Sequence, residues 1–144
     1  MPDFNSKTKL IFLFSMPRSG STLLQRILAS HPGISTTPEP WLLLPLMSAL
    51  KPRGTYTEYS HSLSSKAIQE FIGHMRGGEA AYNRAMESFA GSLYNEAADP
   101  EAMYFLDKTP RYFTIIPQIA KTFPDAKFIF LFRNPLHVLA SIIS

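Results

Sequence analysis

Two stretches of this sequence are near-copies of each other, and they restrict the fold more than anything else in it. Lys9 to Ser15 reads KLIFLFS, and Lys127 to Phe132 reads KFIFLF. Neither alternates apolar with polar residues, as a strand with one wet face would, so each is expected to be buried on both faces. Such strands belong to a sheet with helices above and below it. After the first of them, Ser19 to Ser30 reads as a helix, with Leu23, Leu24, Ile27 and Leu28 as one apolar stripe and His31-Pro32-Gly33 as its stop. Strands alternating with helices predict an α/β fold: a parallel β-sheet flanked by helices, with the two matching strands together in its centre.

The rest of the chain fits that alternation. Ile34 to Thr36 is expected to be a short strand, and residues 38 to 60, rich in proline, an irregular segment. A helix capped near Ser64 or Ser65 carries Ile68, Phe71, Ile72 and Met75. A second, from about Glu79 to Ala97, carries Tyr82, Met86, Phe89 and Leu93 at helical spacing and is broken by Asp99-Pro100. Met103 to Leu106 reads as a strand, and Thr109-Pro110 suits a helix cap with proline at the first position. Pro117 predicts a kink or a restart. Asn134-Pro135 opens a last helix, in which the sequence ends three residues after Ser141. Residues 1 to 144 are therefore expected to form a single domain.

Composition removes several classes of function. With 45% hydrophobic and 17% charged residues the chain can bury a true core, and its net charge of +3 comes without any Lys/Arg block that would suggest nucleic acid. There is no cysteine, and the four histidines form no H-x-x-x-H pair, so no metal site is expected. The apolar run at Leu10 is too short for a signal peptide, and WLLLPLMSAL, broken by Pro45, is too short for a membrane span. A cytoplasmic address follows as the expectation.

Ligands of open α/β sheets bind beyond the carboxyl ends of the strands. Three segments leave strands there: Ser15 to Thr22, Asp107 to Pro110, and Arg133 to Ser141. The first is P-loop-like but departs from G-x-x-x-x-G-K-[ST]: Gly20 and Thr22 fit, whereas Ser15 replaces the first glycine and Ser21 the lysine. Its backbone N–H groups at a helix start, with the hydroxyls of Ser19, Ser21 and Thr22 and the charge of Arg18, make an anion site. Arg133 and Ser141, eight residues apart, suit a second phosphate-like group if the chain folds back between them.

P-R-S-G-S-T-L-L after the first strand and F-R-N-P-x-x-x-x-x-S after the later one resemble the two cofactor motifs of the sulfotransferases that use 3′-phosphoadenosine 5′-phosphosulfate (PAPS). The resemblance runs from about Leu10 to the C-terminus; because the family's domains are longer, it implies that the sheet is incomplete at its C-terminal side, the chain being either the N-terminal part of a longer protein or a truncated gene product. It implies that Arg18, Ser19, Gly20, Ser21 and Thr22 hold the 5′-phosphosulfate and that Arg133 and Ser141 hold the 3′-phosphate, without a metal. Arginine at position 18 is similar to the tyrosylprotein and carbohydrate-type members, where cytosolic members carry lysine. In that group a catalytic glutamate follows the arginine by 21 residues, which here is Glu39. A lysine after a strand is also implied, and Lys108 in Asp107-Lys108-Thr109-Pro110 matches it loosely.

The implied reaction is in-line sulfuryl transfer to a hydroxyl acceptor (small molecule, glycan, lipid or peptide), leaving 3′,5′-ADP. Glu39 would take the hydroxyl proton, and Arg18 and Lys108 would neutralise developing charge. His61 and His74 are rival bases, though no strand end is predicted beside them. Trp41, Leu42 and Met47 are either acceptor-pocket lining or core. Two other readings compete. One is a catalytically incomplete module that binds PAPS or its product. The other is a degenerate P-loop phosphotransferase, against which stand the missing lysine and the lack of an acidic residue after the strand at 127 to 132.

Overall fold

Strand β1, Lys9–Ser15, is buried from Ile11 onward, as its unbroken apolar run requires. The structure, a computed structural model, describes residues 8 to 143. β1 pairs in parallel with β3, Tyr104–Asp107, on one side and with β4, Lys127–Leu131, on the other. The short β2, Ile34–Thr36, pairs in parallel with β3, giving the order β2-β3-β1-β4. The α/β class and the parallel sheet expected from the sequence are what is observed.

The two matching strands are neighbours, with Phe12 opposite Phe128 and Phe14 opposite Phe130. Only β1 is central, however. β4 is the outer strand of the described sheet, and its residues are partly or fully exposed instead of buried on both faces. The alternating phenylalanines make one sheet face aromatic. Phe14 lies 5.9 Å from Phe128 and 5.2 Å from Phe130, and Phe12 stacks on Phe128 at 6.1 Å. Such pairs contribute roughly 0.5–1.5 kcal/mol each beyond the area they bury. The other residues of β1 build a second cluster, Ile11 and Leu13 with Leu106 of β3, against which Leu24, Leu28 and Ile34 pack.

That cluster explains the outcome for the first helix, α1, Ser21–Ala29. Of its expected apolar stripe, Leu24 and Leu28 reach the core, while Leu23 and Ile27 are exposed. The buried helix positions are instead Ser21 and Gln25.

The chain divides into two compact units. One holds residues up to Trp41, Gly91–Thr114 and the residues from Asp125 on, and so contains the whole sheet; the other holds Leu42–Ala90 and Ile115–Pro124. The second unit departs from expectation in two places. A short helix, α2, Leu43–Ser48, forms where the segment was expected to be irregular. Pro45 permits it because it lies in the first turn, where no helical N–H is required. Helix α3, His61–His74, starts one turn earlier than expected: the Ser60 hydroxyl, not Ser64 or Ser65, accepts from the Leu63 N–H.

Helix α4, Gly78–Ala97, runs where it was predicted. Thr109-Pro110 leads into a single 3₁₀ turn, Pro110–Thr114, and the following helix, α5, Ile116–Thr122, has Pro117 at its start. Pro117 therefore marks a restart, not a kink. The last helix, α6, Pro135–Ile143, opens with the Asn134 side chain accepting from the Leu136 N–H at 2.9 Å. Among the described residues no helix is long and apolar enough to cross a membrane.

Candidate active site

The chain leaves β1 toward β2 at one side of the sheet, whereas it leaves β3 toward β4 at the other. At such a reversal the carboxyl ends of adjacent strands open a crevice suited to a ligand. The loop after β1 is shaped for an anion. Arg18 and Gly20 both take left-handed backbone conformations, with φ of 64° and 90°. Left-handed residues alternating with ordinary ones turn successive N–H groups toward one point. A Cβ on Gly20 would meet nothing within 4 Å, so glycine is required there by its φ and not by lack of space.

Gly20 is also the N-cap of α1 and brings no capping side chain, and no acidic residue stands in the first turn. The N–H groups and the partial positive charge of that helix end are therefore left for an external anion. Ser19 in the loop and Ser21 at the first position of α1 are both buried. The Ser15 hydroxyl, at the end of β1, is buried with no hydrogen-bond partner among the described residues. An orphaned hydroxyl beside a nest of N–H groups suits an anion that accepts hydrogen bonds.

Arg18 joins this loop to the distant motif. Its Nε donates to the Ser141 hydroxyl on α6 at 3.1 Å, and its carbonyl accepts from the Arg133 guanidinium at 2.9 Å. Arg133 and Ser141 are thus brought together around Arg18, by α6 running back from Asn134. All three side chains lie near the surface, with two guanidinium groups and a hydroxyl available to a charged ligand.

The third segment supplies a lysine. Lys108 follows β3 directly, and its ammonium lies 2.6 Å from Glu39 Oε1 and 3.4 Å from the Thr22 hydroxyl. The lysine side chain is 3% exposed and the glutamate 34%, so the ion pair is covered on the lysine side and open on the carboxylate side. The Trp41 indole N–H donates to the other carboxylate oxygen at 3.3 Å. Glu39, Lys108 and Thr22, singled out at separate places in the sequence, form one cluster.

Two supports for this cluster were not anticipated. Gln25, buried in α1, donates to the Thr36 hydroxyl at 2.8 Å and to the Thr37 carbonyl at 3.0 Å, and Thr36 donates to the Leu106 carbonyl at 2.7 Å. These bonds tie the segment leading to Glu39 onto α1 and β3. Asp107, buried next to Lys108, accepts from Tyr94 at 2.6 Å, from Tyr112 at 2.9 Å and from Thr109 at 2.9 Å.

Burial pushes the Asp107 carboxyl above its ordinary 3.8; the three hydroxyl donors pull it down, and the nearby Glu39 charge adds to the rise. Burial and then the adjacent Asp107 charge push the Tyr94 hydroxyl far above its usual range. The sequence signal for Asp107 was its place beside the candidate lysine; Gln25 gave only its position one turn beyond Thr22. The rival base His61 lies in α3, where its Nε2 is 2.6 Å from the Lys51 carbonyl. Among the described residues no group of three or more acidic, histidine or cysteine side chains could hold a metal ion.

A family model described as the Sulfotransferase family matches residues 11–144. The chain belongs to the sulfotransferase family. The match spans every residue of the loop, the Glu39–Lys108 pair and the Arg133–Ser141 segment. Among individual relatives, the chain is 36% identical over 137 residues to the nodulation protein NoeE of Sinorhizobium fredii, covering 92% of this chain and 30% of that protein. It is 29% identical over 141 residues to protein-tyrosine sulfotransferase 1 of Danio rerio, covering 98% of this chain and 37% of that protein. The protein-tyrosine sulfotransferase of Drosophila melanogaster is 28% identical over 141 residues, with 26% of its length covered. The chain thus spans between 26% and 37% of the length of these relatives.

Proposed function

We propose that this chain carries the donor site and the base of a PAPS-dependent sulfotransferase that moves a sulfuryl group to a hydroxyl acceptor. The observation that supports this most is Arg18, which touches both Ser141 and Arg133 from within a left-handed loop at an uncapped helix end. One anion-binding loop alone would suit many phosphorylated ligands. A loop joined to a second cationic motif suits a donor with two separated anionic groups, as PAPS has. The family match crosses both compact units, which supports reading the chain as part of one sulfotransferase domain.

PAPS bound there supplies a sulfuryl group on a phosphate leaving group. Ser19, Ser21, Thr22 and the loop N–H groups bind the phosphosulfate end, and Arg133 and Ser141 the 3′-phosphate. The Glu39 carboxylate takes the proton of the acceptor hydroxyl. Lys108, between Glu39 and Thr22, and Arg18 hold positive charge where negative charge develops, the electrostatic contribution that dominates transfers of this kind. No step calls on a metal. The acceptor, a small molecule, glycan, lipid or peptide hydroxyl, and a cytoplasmic address compatible with a cysteine-free sequence complete the reading.

Calorimetry with 3′,5′-ADP tests it. Binding is expected, weakened about 10- to 100-fold by Arg18→Ala and by Arg133→Ala, as befits hydrogen bonds from a charged donor. If ATP with Mg²⁺ binds as tightly as 3′,5′-ADP, the reading fails.

A further inference from the structure

Trp41 occupies a position that a folding chain would not choose for it. Its backbone is left-handed, with φ of 54°, and the residue is 48% exposed. A non-glycine residue in that conformation costs roughly 1–2 kcal/mol, and an indole left half in water leaves about half of its possible burial unused. Asparagine or glycine would make the same turn at lower cost. Strain held in this way, in a large aromatic residue, points to what the side chain meets.

It meets Glu39. The left-handed turn brings the indole back two residues, so that its N–H donates to Oε2 while Lys108 holds Oε1. The carboxylate is gripped at both oxygens, yet a third of its surface is open. Beside that opening the indole offers a flat apolar surface flanked in sequence by Pro40, with no charged side chain in Pro40-Trp41-Leu42-Leu43-Leu44.

We propose that Trp41 is the platform for the acceptor, whose attacking hydroxyl is carried on a flat-faced ring, a phenol or a pyranose, stacked on the indole with the hydroxyl at Glu39 Oε2. This rests on the reading of Glu39 as the base. A straight-chain alcohol could reach the carboxylate but would leave the indole face wet, and so would bind without this contribution. Trp41 is then a specificity-determining residue: it selects the acceptor by the shape that carries the hydroxyl.

Trp41 is the single tryptophan of the chain, so its fluorescence reports on this position alone. The chain is titrated with phenol, with methyl β-glucopyranoside and with 1-propanol while emission excited beyond the tyrosine band is followed. In parallel, 3′,5′-ADP binding to the same preparation is measured by calorimetry. A saturable spectral change is expected with at least one ring compound and not with 1-propanol, and the compound that produces it tells a phenolic acceptor from a saccharide.

No saturable change with either ring, or an equal one with 1-propanol, overturns the platform. If 3′,5′-ADP still binds in that case, the donor site stands without it. A ring response without 3′,5′-ADP binding keeps the platform and removes the donor reading. In a parent protein that turns over, Trp41→Ala should raise the acceptor KM about three- to tenfold, the worth of an aromatic contact, with Trp41→Phe restoring most of it and 3′,5′-ADP affinity unchanged. A KM unmoved by Trp41→Ala also overturns the proposal.

Discussion

Lys108 and Glu39 form an ion pair of 2.6 Å in which the lysine is covered and the carboxylate open. A lysine so enclosed needs its partner, because an ammonium removed from water and left alone is costly. The same pairing leaves the carboxylate partly open to solvent, where a hydroxyl can reach it. A structural role and the proposed chemical role therefore meet in two side chains, and they are separable by experiment.

The chemical role predicts that Glu39→Gln lowers kcat by about 10²-fold or more while leaving 3′,5′-ADP affinity nearly intact. Glutamine keeps the shape but takes no proton at neutral pH. Steady-state kinetics on a turning-over parent, with calorimetry for the nucleotide, give both numbers. A near-normal kcat would remove Glu39 from the mechanism.

The structural role predicts coupling between the two residues. In a double-mutant cycle of Glu39→Gln and Lys108→Met, urea denaturation should yield an interaction energy of about 1–3 kcal/mol, the double variant being more stable than the sum of the single losses allows. Additive losses would mean that the pair is broken in solution.

Arg18→Ala should behave unlike Glu39→Gln, weakening 3′,5′-ADP binding and turnover together, because Arg18 would touch the donor in both ground and transition states. Isothermal titration beside a kinetic assay distinguishes the two patterns. Loss of turnover with full nucleotide affinity would place Arg18 outside the donor site.

Gly20→Ala should cost about 1–2 kcal/mol of stability, the penalty of a Cβ in a left-handed conformation, and weaken 3′,5′-ADP binding as the loop relaxes. Chemical denaturation measures the first effect. Since space is open around a Cβ there, an unchanged midpoint would mean that the loop adopts another backbone path.

Asp107 predicts a pH dependence. Its carboxyl titrates above 3.8 in the folded chain, so the stability gained by protonating it is fully present below that value and is lost as pH rises through the raised one. The stability difference, wild type minus Asp107→Asn, should therefore fall as pH rises from about the ordinary Asp value. Denaturation midpoints of both proteins across the acid range test this. A difference that is flat with pH would mean that Tyr94, Tyr112 and Thr109 fully offset the burial of the carboxylate.

The features legible in the sequence were those written locally. The apolar run of β1, the glycine and serines of its loop, and the proline after Asn134 each carry their conformation in a few residues. What escaped depends on neighbours distant in the chain. KFIFLF reads like KLIFLF, but only the sheet order makes one central and the other outer. Ser60, Ser64 and Ser65 are equal as caps until the surroundings choose.

The candidate site follows the same division. Arg18 and its loop were readable as an anion site, whereas the bonds from Gln25 to Thr36 and from Tyr94 and Tyr112 to Asp107 could not be seen, because buried polar groups find partners through tertiary packing. Glu39 and Lys108 were each singled out by resemblance. Their contact across 69 residues belongs to the fold.

The bonds that Arg18 makes span 115 and 123 residues of sequence, to Arg133 and Ser141. Contacts closing such long loops form late in folding, after local helices and early strand pairs have fixed the chain. During synthesis at about 5–20 residues per second, the loop after β1 leaves the ribosome many seconds before either partner exists. For that interval its left-handed arginine has nothing to hold it, and the loop is free to sample other shapes. The joining of the loop to Arg133 and Ser141 thus arrives as one of the final events of folding, and a nascent chain halted before α6 would carry the motif without those bonds.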